Sequence, residues 1–192
     1  MKRYFLCILA ILIIGSISAQ NYSYEASEAF PFGQKNPKAP EQLKDFAPLI
    51  GECDCISETR KADGNWNGPG KMTWRFKYIM NGMAVQDETL KDDGRHSGSI
   101  RQFNTDSLKW YVHYYSSVSA VNNLPSWEGG KTDIGSIVLY REQKAPNGME
   151  GFYRLTFYDI SNKGYKWIGE WVSTDETIVY PTWKISCTRK ED

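Results

Sequence analysis

Lys71-Met72-Thr73-Trp74-Arg75-Phe76-Lys77-Tyr78-Ile79-Met80-Asn81-Gly82 alternates with a period of two. Met72, Trp74, Phe76 and Tyr78 fall on one side, and Lys71, Thr73, Arg75 and Lys77 on the other. Successive side chains of a strand point to opposite faces, so this is a strand with one buried face and one wet face. It ends in Asn81-Gly82, which supplies the positive φ that a tight hairpin turn demands.

The same grammar repeats on both sides of this stretch. Turn signals recur at Asp63-Gly64, Asp93-Gly94, Asn104 to Asp106, Asn147-Gly148 and Asn162 to Gly164. The runs between them are rich in Val, Ile, Thr and aromatic residues, the composition of strands. Strands are predicted over 49–58, 70–80, 83–91, 97–104, 107–116, 136–142, 150–159, 165–173 and 178–189. Short, evenly spaced strands joined by hairpin turns predict an all-β chain, a single antiparallel up-and-down β-barrel of about 8–10 strands. A sandwich is the alternative. Ahead of the strands, Pro40-Glu41-Gln42-Leu43-Lys44-Asp45-Phe46 has proline near its start and apolar residues at helical spacing, which predicts a short N-terminal helix covering one end. The longest connection, Ser117 to Gly135, contains Trp127 and Gly129-Gly130 and is a candidate lid or binding loop.

The chain opens differently. Lys2 and Arg3 precede an apolar run from Tyr4 to Ile14, followed by Gly15, Ser16, Ser18 and Ala19. That is the pattern of a secretory signal peptide over residues 1–20, and the run is too short to span a bilayer. An exported protein, periplasmic or extracellular, is expected, with no membrane span after leader cleavage. Residues 21–36 form an extended N-terminal arm and 37–192 the barrel domain. Losing Lys2 and Arg3 leaves 21 of the 23 basic residues against 23 acidic ones, which offers no basic stripe for nucleic acid.

Of the 4 cysteines, Cys53, Cys55 and Cys187 lie beyond the leader. An oxidising compartment permits a disulfide. All three share the inward parity of their strands, and the first and last strands of a closed barrel are neighbours. A bridge from Cys187 to Cys53 or Cys55 is therefore expected, with one thiol left over.

The opening strand Leu49-Ile50-Gly51-Glu52-Cys53-Asp54-Cys55 follows the Pro40 to Phe46 helix. Trp74 to Gly82, Ala84-Val85-Gln86-Asp87-Glu88, Gly98-Ser99-Ile100-Arg101-Gln102-Phe103 and Trp110 come after it. Over roughly Pro37 to Lys190 the chain resembles a bacterial family of exported proteins of unknown function with a lipocalin-like (calycin-type) β-barrel. The resemblance implies a fold and no particular reaction.

Three candidate sites emerge. Parity points Trp74, Tyr78, Trp110, Tyr114, Trp167, Trp171 and Trp183 inward, either as an aromatic cage for one small apolar or amphipathic ligand or as plain core. Glu88 and Arg101 would form a buried ion pair if both face inward, although Met83 and Val85 compete for the inner face of the Glu88 strand. Nucleophilic or metal chemistry is poorly supplied. His96 and His113 are the only histidines, no Gly-x-Ser-x-Gly elbow exists, and no cofactor or metal is expected. A ligand-binding barrel is the leading reading. An enzyme that uses the interior and an extracytoplasmic interaction module are the alternatives.

Overall fold

The computed structural model describes residues 22–190; the leader assigned to residues 1–20 lies outside the described residues. Among the described residues ten strands follow one another: β1 (Gly51–Thr59), β2 (Gly70–Ile79), β3 (Ala84–Lys91), β4 (Ser97–Asn104), β5 (Lys109–Ser116), β6 (Ser126–Lys131), β7 (Ile137–Glu142), β8 (Gly151–Ser161), β9 (Gly164–Ser173) and β10 (Val179–Arg189). Each pairs antiparallel with its sequence neighbours, and β10 returns to pair with β1. The sheet is a closed up-and-down barrel, which leaves no unpaired edge.

The tenth strand is β6, inside the segment read from sequence as one long loop. Trp127, Glu128 and Gly129 pair with Val112, Tyr111 and Trp110 of β5. Glu128 to Lys131 pair on the other side with β7. Two adjacent glycines argue against a strand on propensity, but tertiary pairing overrides them. Gly129 is required there, since a Cβ would lie 2.1 Å from the Val138 carbonyl oxygen.

The short helix before β1 is two 3-10 turns, Glu41–Asp45 and Ala47–Leu49, and it follows the arm segment. Leu43, Phe46 and Leu49 are fully buried and plug one end of the barrel. The Trp110 indole donates to Asp45 Oδ2 at 3.1 Å, and the Arg189 guanidinium donates to the Leu49 and Ile50 carbonyls. Residues 22–36 are held at the same end, by Tyr78 N–H to the Phe32 carbonyl (2.9 Å) and Asn36 N–H to the Gly82 carbonyl (3.1 Å). Gly82 has φ +77°, and a Cβ would collide with the Gln34 carbonyl, so glycine admits this segment.

The parity of Met72 to Tyr78 holds in β2, where Met72, Trp74, Phe76 and Tyr78 are all buried. The outer wall carries charge instead. Glu52 pairs with Arg75, Lys77 with Glu88 and Lys184 with Glu58. Cys55 and Cys187 face each other across the β1–β10 seam with Cα atoms 4.1 Å apart, and they form a disulfide spanning 132 residues. Cys53 is the buried free thiol, and burial raises its pKa.

Candidate functional site

Below the midline the interior is solid. Phe46, Phe76, Trp110, Phe157 and Tyr165 are all at or near zero exposure and pack edge to face. Toward the other end, where the β1–β2, β3–β4, β5–β6, β7–β8 and β9–β10 connections lie, the barrel keeps a cavity of about 270 Å³.

The cavity has two kinds of wall. One is aromatic and aliphatic: Trp74, Trp127, Trp167 and Trp183, with Val112, Leu155 and Ile185. Trp167 and Trp183 meet at 5.2 Å, and Trp74 lies 6.1 Å from Trp167. Two of the indole nitrogens are anchored in the wall: Trp183 donates to Ser57 Oγ (2.8 Å) and Trp127 to the Tyr153 carbonyl (3.1 Å). Side chains held this way present fixed apolar faces.

The other wall is polar and comes from β3 and β4. Asp87, Thr89, Ser97, Ser99 and Arg101 line it. The Asp87 carboxylate accepts from Trp74 Nε1 at 2.7 Å and from Arg101 Nη1. Thr89 and Ser97 share a hydroxyl hydrogen bond at 2.6 Å. Arg101 is 3 % exposed, and its guanidinium lies 4.9 Å from the Phe76 ring and 5.1 Å from Phe46. The ion pair therefore sits at the cavity floor, on top of the solid core. Burying two charges is costly unless geometry and further hydrogen bonds compensate. Arg101 Nε has no partner among the described residues.

Arg141 stands higher, near the end of β7. Its guanidinium lies 4.4 Å from the Trp127 ring and donates to Gln143 Oε1. Burial pulls its pKa below the ordinary arginine value. Beside it on β8, burial raises the Tyr153 phenol, whose oxygen lies 2.7 Å from Thr182 Oγ1.

The residues singled out by sequence divide among three places. Trp74, Arg101, Tyr114, Trp167 and Trp183 line the cavity. Tyr78 and Trp110 are buried at the plugged end, and Trp171 backs the wall with its indole on the Gln143 carbonyl (2.8 Å). Glu88 faces outward beside Arg75 and Lys77, so it is not the partner of Arg101. The inner residues of β3 are Val85, Asp87 and Thr89, and Asp87 takes the place expected of Glu88. The reason is a one-residue change of parity: where the inner face is itself polar, hydrophobic alternation cannot identify it. Trp127 and Arg141 were not singled out. Trp127 lay in the presumed loop, and Arg141 in a strand whose Val138, Tyr140 and Glu142 alternate with it without a clear polar side.

No family model matches the chain, and no curated protein matches it. Among solved structures it is similar to Rv2717c from M. tuberculosis, at 10% identity and a TM-score of 0.50, covering 80% of this chain and 100% of that one. At that identity, what the two share is the fold, an antiparallel β-barrel.

Proposed function

We propose that this barrel binds one small amphipathic molecule in its cavity and does so as an exported protein. The observation that carries the reading is the cavity's division into an indole wall and a hydroxyl–carboxylate–guanidinium wall. A few placed polar groups on a mostly apolar lining are the usual composition of a ligand site. The interior carboxylate, Asp87, is already engaged by Trp74 and Arg101, which favours recognition over acid–base chemistry at this site.

Four tryptophans line the cavity, so an occupant should change their emission. Titrating the purified protein with flat aromatic compounds should give saturable quenching or a spectral shift, and native mass spectrometry should find a co-purified small molecule. A flat response across the panel, with no retained molecule, overturns the reading. Export rests on the leader pattern alone; the mature protein is expected to start near Gln20 or Asn21, and N-terminal sequencing from the native host decides it.

A further inference from the structure

The cavity contains two arginines at different depths, and only the deeper one is neutralised. Arg101, at the floor, is paired with Asp87 and cradled by Phe46 and Phe76. Arg141, nearer the mouth, has no carboxylate within ion-pair distance among the described residues. It donates only to a neutral acceptor, Gln143 Oε1. Of the charged groups that line the cavity, Asp87 and Arg101 cancel and Arg141 leaves one positive charge over. A second cation, Lys91, lies 5.4 Å from the Trp183 ring, outside the cavity lining, and adds positive potential nearby.

We propose that Arg141 is the anion anchor of this cavity and that the ligand is a flat carboxylic acid, held with its carboxylate at the mouth and its ring among the tryptophans below. This rests on the binding reading given above and adds the charge and orientation of the occupant. Three features support it. The guanidinium is a planar fork suited to gripping a carboxylate through two parallel hydrogen bonds. It lies over the Trp127 ring, 4.4 Å from its centroid, a contact that restrains it before any ligand arrives. Below it, Trp74 and Trp167 offer faces that take an aromatic body more readily than an anionic group. Arg101 cannot serve as the anchor without competing with Asp87, and an acid at the floor would lie against that carboxylate. Desolvation already penalises the Arg141 charge, so an arriving anion restores what burial removed.

The test uses two probes of the same shape, 2-naphthoic acid and 2-naphthamide, titrated by tryptophan emission into the purified protein. The wild type should bind the acid at least tenfold more tightly than the amide. Arg141→Gln should abolish that preference, weakening the acid far more than the amide, and the amide binding that remains shows that the variant is folded. Arg141→Lys should recover part of it. If both probes bind the wild type equally, or if Arg141→Gln keeps the acid preference, the anchor assignment is overturned while the binding reading stands. If neither probe binds, in company with the flat panel described above, both fall.

Discussion

The two ends of this barrel are built from the same strands and the same residue types, and they do opposite things with them. At the plugged end Trp110, Phe46, Phe157 and Tyr165 pack ring against ring at or near zero exposure, capped by the 3-10 turns. At the other end Trp74, Trp127, Trp167 and Trp183 stand around a space of about 270 Å³. An aromatic residue on an inner strand face is thus core or lining according to what closes the barrel above it. Here the closing element is the segment from Glu41 to Leu49, which supplies apolar side chains to one end only.

That contrast can be tested from its largest consequence to its smallest. The Cys55–Cys187 bridge belongs to the wall that both halves share. Replacing both cysteines by alanine should cost about 4–5 kcal/mol in the loop-entropy model, read as a lower urea midpoint, with naphthoate affinity in the surviving folded protein unchanged. At the plugged end, Trp110→Ala should cost about 3–5 kcal/mol and leave ligand response intact. At the open end, Trp183→Ala should cost only about 1–2 kcal/mol, because one face of that ring already borders empty space and has fewer contacts to lose, while ligand affinity falls. Equal stability losses at Trp110 and Trp183 would erase the distinction between core and lining.

The smallest effect sharpens the picture of the solid end. The Tyr165 hydroxyl is buried with no hydrogen-bond partner among the described residues. Burial, then the neighbouring Cys53 and Asp87, raise its pKa well above the usual 10. The folded state therefore resists ionisation that the unfolded chain undergoes freely. This contribution is complete below about pH 10, the ordinary tyrosine value, and is lost as pH rises beyond it toward the folded pKa. Tyr165→Phe should be within about 1 kcal/mol of wild type at neutral pH, since it removes an unsatisfied hydroxyl. Above pH 10 its melting temperature should fall less steeply than that of the wild type.

The barrel was legible because β2 carries large apolar residues on one face and mostly charged ones on the other, and β5 and β10 set large apolar residues against more polar ones, which is what hydrophobic alternation detects. The site was only half legible, for the same reason. Trp74, Trp167 and Trp183 advertise an inner face. Asp87, Thr89, Ser97 and Ser99 are inner residues that look like outer ones, and nothing local separates Asp87 from Glu88. The orientation of Asp87 and Thr89 is settled by register with β2, where Trp74 points its indole N–H at Asp87 from the facing strand, and that of Ser97 and Ser99 by their pairing with Thr89 and Asp87. Strand β6 was hidden by Gly129-Gly130, whose value lies in the close approach of β7 and not in any propensity of its own.

The seam that closes the barrel also determines how the molecule bears force. A pull on the two ends of the chain passes from Cys55 to Cys187 through the sulfur–sulfur bond and never enters the chain between them, a sequence separation of 132. Every strand that lines the cavity lies within that covalent hoop, apart from parts of β1 and β10. Stretched in a single-molecule instrument, the oxidised protein should give up only its outer segments, and adding a reductant should release roughly 430–480 Å of further contour length. The pocket is in this sense mechanically insulated from whatever the termini are tethered to.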